Sequence, residues 1–89
     1  MIERELVVSN RLGLHARATA KLVQVLSAFR CNATLNAKGR EVNAKSIMGV
    51  MLLAAGPGTP VVLRVEGEDE AAAVEAVTAL FERRFDEDS

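Results

Sequence analysis

Runs in which apolar and polar residues alternate predict four short β-strands, because successive side chains of a strand point to opposite faces. In the last run, Val61, Leu63 and Val65 share one face, which predicts a strand with one buried side. Lys38 and Gly39 lie between the second and third runs and predict a tight turn, since glycine tolerates a positive φ angle. The predicted strands are residues 2–8, 32–37, 40–43 and 60–66.

Apolar residues at helical spacing predict three helices, residues 16–28, 46–53 and 69–84. In the first helix, Ala20, Val23 and Phe29 form a stripe that two leucines flank. In the third, Asp69 is a favoured N-cap residue, and Arg83 and Arg84 fall in the last turn, where cations suit the helix dipole. The predicted inner face of the third helix consists of Val74, Val77 and either Leu80 or Phe81.

The order of these elements is strand, helix, strand, strand, helix, strand, helix. It predicts a two-layer α+β fold in which helices cover one face of a mainly antiparallel sheet. A chain of 89 residues has room for one domain, so residues 1–89 are expected to fold as a single unit.

The composition limits which cellular compartment and which classes of partner are expected. Cys31 is the only cysteine, and the N-terminal sequence lacks a signal peptide, so we expect a cytoplasmic protein without disulfides. The longest apolar stretch, residues 47–56, is shorter than the roughly 20 residues that span a bilayer, so no membrane insertion is expected. A net charge of −1 without interleaved aromatic and basic residues argues against nucleic-acid binding.

The charges are unevenly distributed along the chain. Residues 1–65 contain nine basic and three acidic side chains, whereas residues 66–89 contain two basic and nine acidic ones. A basic field around one site would suit a small anion such as phosphate. The alternative is that the C-terminal segment is only a solvated acidic face.

Most catalytic and cofactor sites are excluded by counting residues. One histidine and one cysteine cannot form a zinc site with the usual ligands, and no serine occupies a Gly-x-Ser-x-Gly turn. The chain has no P-loop, and "GPGTPV" at residues 56–61 lacks the last glycine of a dinucleotide-binding motif. We therefore expect no cofactor and no metal.

The candidate chemistry lies in His15 and Arg17, at the predicted start of the first helix. Backbone N–H groups at a helix start can hold an anion, and a guanidinium matches phosphate oxygens. A nucleophilic imidazole beside such a receptor could accept and hold a phosphoryl group. The alternative is an ordinary helix start with an ordinary surface charge.

Three segments resemble the histidine-containing phosphocarrier (HPr) family of the bacterial phosphotransferase system. They are "GLHARATA" at residues 13–20, "AKSIMGVMLLAAGPG" at 44–58 and "VEGEDEAAAVEAV" at 65–77. The resemblance covers essentially the whole chain. It implies an open-faced β-sandwich with four antiparallel strands and three helices on one side, and it implies a carrier rather than an enzyme with turnover.

The resemblance also implies roles for particular residues. His15 resembles the histidine whose Nδ1 takes a phosphoryl group from Enzyme I and passes it to IIA domains, and Arg17 resembles the residue that neutralises that group. Ser46 resembles a serine that HPr kinase/phosphorylase modifies in many bacteria, although a serine that begins a helix is also a favoured N-cap. A monomer is expected.

The second predicted helix is more apolar than a short surface helix requires. Helical geometry would bury about half of its large side chains, and the remainder could form a docking surface for partners. The family uses this helix and the first one for binding. The large apolar residues of this helix are Ile47, Met48, Met51 and Leu52, and the candidate docking residues are Ala20, Gln24, Ile47, Met48 and Met51.

The chain departs from the family pattern at Ala18, where the signature usually has proline, and we expect a slightly more frayed first turn. The ending "ALFERRFDEDS" resembles the nitrogen-branch paralogue of the family. The alternative function is therefore a regulatory HPr paralogue of a nitrogen branch or an incomplete system, which acts mainly by protein–protein docking.

Overall fold

The computed structural model describes residues 1–87 and has the predicted order of elements. The strands are β1 (Ile2–Val7), β2 (Cys31–Ala37), β3 (Arg40–Asn43) and β4 (Pro60–Gly67). The helices are α1 (Ala16–Ser27), α2 (Ile47–Leu52) and α3 (Glu70–Glu82), and a short 3-10 turn, Arg84–Asp86, follows α3.

The four strands form one antiparallel sheet in the order β1-β4-β2-β3. Strand β4 therefore lies between β1 and β2, and its alternating pattern buries Val61, Leu63 and Val65 as predicted. Lys38 and Gly39 both have positive φ angles, 53° and 77°, which fits the predicted tight turn between β2 and β3.

The helices cover one face of the sheet, and the core lies between the two layers. Helix α3 packs on β1 and β4, and α1 packs against both other helices. Val74 and Val77 of α3 are buried as predicted, and both alternatives for the last inner position, Leu80 and Phe81, are buried. The largest fully buried side chains are Phe85, Leu22, Leu26, Leu35, Leu63, Leu80, Val8, Val50, Val61, Val65, Val74 and Val77.

The opposite face of the sheet is open and polar. The Arg64 guanidinium lies 2.6 Å from the Glu3 carboxylate and 3.1 Å from the Glu41 carboxylate, so one cation bridges β1, β4 and β3. Val7 shares the open face with Glu3 because the two are four residues apart on β1, and it is half exposed. The fold is thus the predicted open-faced α+β sandwich.

The predicted apolar stripe of α1 is wrong. Ala20 is exposed and Val23 is only partly buried, whereas Leu22 and Leu26 are fully buried and form the centre of the inner face together with Ala18 and Thr19. The contact surface between α1 and its neighbours is therefore rotated relative to the predicted one. The two leucines predicted to flank the stripe are the ones that pack in the core.

The ends of α3 also differ from the prediction. Asp69 occupies the N-cap position but makes no capping bond; its Oδ2 instead accepts a hydrogen bond from the backbone N–H of Arg30 at 2.8 Å. The helix ends at Glu82, so neither Arg83 nor Arg84 belongs to its last turn. The chain instead enters the left-handed region.

The C-terminal turn Arg84–Asp86 was not predicted. All three of its residues have φ angles between 54° and 62°, a conformation that costs an L-residue about 1–2 kcal/mol. Phe85 is fully buried, and its ring centroid lies 4.8 Å from that of Phe81. Burial of this ring opposes the cost of the left-handed turn and ties the turn to the core just before residue 87.

None of the helices that the structure describes within residues 1–87 is long and apolar enough to cross a membrane.

Gly13 holds the loop before α1 against the loop after α2. It has a φ of +68°, and a Cβ there would lie 2.5 Å from the carbonyl oxygen of Ala55 and 2.8 Å from the Cα of Gly56. The backbone N–H of the next residue, Leu14, donates to the same Ala55 oxygen at 2.9 Å. Only glycine allows this close approach, which sets the entry into α1.

We expect Gly13→Ala to lower the free energy of unfolding by about 3 kcal/mol, because it adds a backbone clash to the left-handed penalty. Gly39→Ala is the matched control, since its φ is +77° and nothing lies within 4 Å of the added Cβ. The control should lose only about 1 kcal/mol. Urea unfolding measures both, and equal losses would contradict this account of Gly13.

Candidate functional site

His15 is the N-cap of α1, a position that Ser, Thr, Asp and Asn usually occupy. Its backbone is extended, with φ −76° and ψ −179°, and its Nδ1 accepts a hydrogen bond from the backbone N–H of Arg17 at 3.2 Å. The imidazole therefore replaces the usual capping oxygen. Nδ1 lies at the positive end of the helix dipole.

The first turn of α1 presents further donors beside Nδ1. The N–H of Thr19 donates to the carbonyl oxygen of His15, which closes the first helical bond. The N–H groups of Ala16 and Ala18 donate to no acceptor among residues 1–87. Arg17 is exposed, and its guanidinium has no hydrogen-bond or ion-pair partner among residues 1–87. This end of the helix can receive an anion.

The other ring nitrogen of His15 faces a carboxylate. Nε2 lies 2.6 Å from Oε2 of Glu87. Because Nδ1 accepts a hydrogen bond, the proton of the neutral ring is assigned to Nε2, which donates to Glu87. The side chains of His15 and Glu87 are 27% and 17% exposed, so the pair is neither sealed in the core nor fully solvated.

Asn10 joins the carboxylate to the loop before α1. It is fully buried, and its Nδ2 donates to the carbonyl oxygen of Gly13 at 2.8 Å and to Oε1 of Glu87 at 3.0 Å. The hydrogen bond from Asn10 and then the interactions with His15 and Lys21 hold the pKa of Glu87 below its usual value. Glu87 is therefore ionised at neutral pH.

Lys21 ties the C-terminal turn to α1. Its Nζ donates to the carbonyl oxygen of Phe85 at 2.7 Å and lies 3.7 Å from Asp86 Oδ2. Arg83 donates to Asp86 Oδ1 at 2.8 Å and is the main cause that lowers the pKa of Asp86. The two neighbouring carboxylates thus have different partners: Asp86 pairs with cations, and Glu87 pairs with the imidazole.

Ser46 is the N-cap of α2. Its Oγ accepts a hydrogen bond from the backbone N–H of Gly49 at 3.1 Å. This is the N-cap role that the sequence analysis gave beside the resemblance to a modified serine. The side chain is partly exposed.

An exposed apolar surface lies on α2. We call Ile47, Met48, Met51 and Leu52 the α2 patch. About half of these were expected in the core, but all four are exposed, and Met48 is 77% exposed. Val50 is the only fully buried residue of α2. The other two docking candidates, Ala20 and Gln24, are exposed on α1, which packs against α2.

Sequence reasoning missed Asn10 and Glu87 as parts of the site. Asn10 gave one weak signal, an amide in a loop just before the candidate histidine. Glu87 gave none, because it is 72 residues from His15 and reaches the ring only through the left-handed turn. Among residues 1–87, no group of three or more His, Cys, Asp and Glu side chains could hold a metal ion.

Comparison with known proteins decides the family. The family model described as the PTS HPr component phosphorylation site matches residues 2–83. The chain belongs to the HPr family of phosphocarrier proteins of the phosphotransferase system. It is 65% identical over 89 residues to the phosphocarrier protein HPr of Xylella fastidiosa strain 9a5c, with 100% of both chains covered.

Other members of the family are similar in sequence and fold. The phosphocarrier protein HPr of Cupriavidus necator is 49% identical over 87 residues, with 98% of both chains covered. The crystal structure of HPr-C-His from Thermoanaerobacter tengcongensis has a TM-score of 0.96 and 40% identity, with 100% of both chains covered. The HPr resemblance inferred from the sequence is thereby confirmed, as is the fold.

The residue at position 18 is expected to affect the stability of the first turn of α1. Its N–H has no acceptor in residues 1–87, so a proline there loses no hydrogen bond and restricts the unfolded chain. We expect Ala18→Pro to raise the free energy of unfolding by about 0.4–1 kcal/mol and to protect the first-turn amides from hydrogen exchange.

Gln24→Pro is the control for this prediction, because Gln24 is exposed in the middle of the same helix. Proline there removes a helical hydrogen bond and should cost about 3 kcal/mol or more. Ala18 is fully buried, so a loss of stability in Ala18→Pro would mean that the surrounding core cannot accept the ring.

Proposed function

We propose that this chain is a phosphoryl carrier whose His15 accepts a phosphoryl group from Enzyme I at Nδ1 and donates it to IIA proteins or domains. It acts as a monomer in the cytoplasm, and it is loaded and unloaded rather than turning over substrate. The observation that carries the proposal is the position of Nδ1 at the N-terminus of α1, beside backbone N–H groups that have no acceptor within residues 1–87.

The geometry suggests how the phosphoryl group is received. The Nδ1 lone pair attacks phosphorus, and the hydrogen bond from the Arg17 N–H to Nδ1 is given up as the new bond forms. That N–H and those of Ala16 and Ala18 are then available to phosphoryl oxygens. The Arg17 guanidinium adds a permanent positive charge with fork geometry.

The proposed acceptance is tested by incubating the protein with Enzyme I and radiolabelled phosphoenolpyruvate. We expect one phosphate per chain that is labile in acid and stable in base, as a nitrogen-linked phosphate should be. His15→Ala should take up no label. Ser27→Ala should label like the native chain, because Ser27 is exposed near the other end of α1 and its Oγ donates to the Val23 carbonyl oxygen.

Label that persists in His15→Ala would contradict the proposal, and so would label that is stable in acid. Either result would mean that a group other than this imidazole is the acceptor.

The α2 patch supports a second part of the proposal, that partners dock on α2 and the neighbouring face of α1. Four exposed apolar side chains on six helical residues form a continuous surface that is typical of a binding site. Methionine adapts to differently shaped partners. The same patch supports the alternative function, a regulatory paralogue that acts mainly by docking.

Ser46 begins the helix that carries the α2 patch, and we propose that its phosphorylation by HPr kinase/phosphorylase regulates docking. A phosphate at a helix N-terminus is tolerated electrostatically, so the modification need not unfold α2. It would place a double negative charge beside the patch and repel acidic partner surfaces.

We expect Met48→Ala to weaken binding to Enzyme I about five- to tenfold, because it removes the most exposed apolar side chain of the patch. Ser46→Asp should weaken binding similarly through charge while it keeps the cap, since aspartate is also a favoured N-cap. Val7→Ala is the matched control on the open face of the sheet, and titration calorimetry measures all three. Equal weakening of binding by Val7→Ala would mean that the α2 patch is not the docking surface for Enzyme I.

A further inference from the structure

Glu87 is brought to His15 by a segment that is costly to form. The three preceding residues are all left-handed, and none is glycine. The turn is fixed by burial of the Phe85 ring and by the hydrogen bond from Lys21 to the Phe85 carbonyl oxygen. A carboxylate at the end of so constrained a turn has a defined position rather than that of a free tail.

Both oxygens of Glu87 have assigned partners. Oε2 faces Nε2 of His15 at 2.6 Å, and Oε1 accepts from Nδ2 of Asn10 at 3.0 Å. Asn10 is itself fully buried and bonded to Gly13. The loop before α1 therefore holds the carboxylate by one oxygen and leaves the other for the ring.

We propose that Glu87 is a positioning residue for His15: it holds the proton on Nε2, directs the Nδ1 lone pair to the N-terminus of α1, and balances the positive charge that the ring acquires on phosphorylation. This inference rests on the proposed function. The carboxylate acts through the imidazole and contacts neither the donor nor the phosphoryl group, because it lies on the Nε2 side of the ring.

The Nδ1 lone pair forms the N–P bond, and the bond between phosphorus and the donor breaks with its electron pair on the donor atom. The ring keeps its Nε2 proton and so gains one positive charge. An ionised carboxylate 2.6 Å from Nε2 stabilises that charge, as a carboxylate paired with a catalytic imidazole does in general.

Asp86→Asn is the matched control for Glu87→Gln. Both changes remove one negative charge from adjacent residues, but Asp86 pairs with Lys21 and Arg83 and does not contact the ring. General repulsion of a negatively charged donor by the C-terminal segment would thus be relieved in both variants. Only Glu87→Gln removes the charge that faces Nε2.

The test measures the rate of phosphoryl acceptance from phosphorylated Enzyme I by rapid quench. We expect Glu87→Gln to be about three- to tenfold slower than the native chain, a modest effect because the pair is partly solvated. Asp86→Asn should be as fast as the native chain or slightly faster. Equal rates in the native chain and Glu87→Gln would overturn the inference, and so would equal slowing in both variants.

A second readout follows the ring itself in the unphosphorylated protein, with ¹⁵N-labelled histidine. We expect a downfield Nε2–H proton resonance that exchanges slowly with water, because a charge-assisted hydrogen bond protects it. Glu87→Ala should lose this resonance, and Asp86→Asn should keep it. A slower rate in Glu87→Gln without the resonance in the native chain would mean that Glu87 does not act through the ring, which overturns the inference.

Different results contradict the two proposals. Absence of label on His15 in the native chain would contradict both the proposed function and this inference. Normal labelling of His15 with no difference between the native chain and Glu87→Gln would remove the inference alone.

Discussion

The site depends on one hydrogen bond, from the backbone N–H of Arg17 to Nδ1 of His15. A helix start leaves several N–H groups without intrahelical acceptors, and a short oxygen-bearing side chain usually satisfies one of them. Here an imidazole takes that part, so a nucleophilic atom lies among donors that suit an anion. The bond holds the ring in place. In the proposed phosphorylation of Nδ1, the same N–H would be released to the phosphoryl group.

The uneven charge distribution has a structural explanation in the C-terminal segment. The sequence left open whether its acidic residues only form a solvated face. Several of them have specific partners: Asp69 accepts from the backbone of Arg30, and Glu70 contacts the N-terminal ammonium group at 3.1 Å. Asp86 pairs with Lys21, and Glu87 with the imidazole. The acidic end of the chain thus reaches the basic region, where it places one carboxylate beside the candidate nucleophile.

Local patterns predicted most of the fold, and contacts between distant residues account for what they missed. Alternation in β4 and the glycine at position 39 identified the strand and the turn because both signals lie within a few residues. The inner face of α1 was predicted wrongly because Ala20 and Leu22 both fit a helical stripe, and only packing decides between them. Glu87 escaped prediction because a left-handed turn without glycine has no recognisable sequence signal. Asn10 was missed because its part in the site depends on its hydrogen bond to Glu87. His15 and Arg17 could be named as candidates because a helix start is a local signal, and the roles that the family resemblance implies for them stay predictions.

The central claim is that Nδ1, and not Nε2 or another group, is the atom that carries the phosphoryl group. The most direct measurement is NMR of the protein with ¹⁵N-labelled histidine after phosphorylation by Enzyme I, in which coupling between ³¹P and a ring nitrogen identifies the bonded atom. This account predicts coupling to Nδ1 and a retained proton on Nε2. Coupling to Nε2, or a phosphate with no coupling to either ring nitrogen of His15, would contradict it.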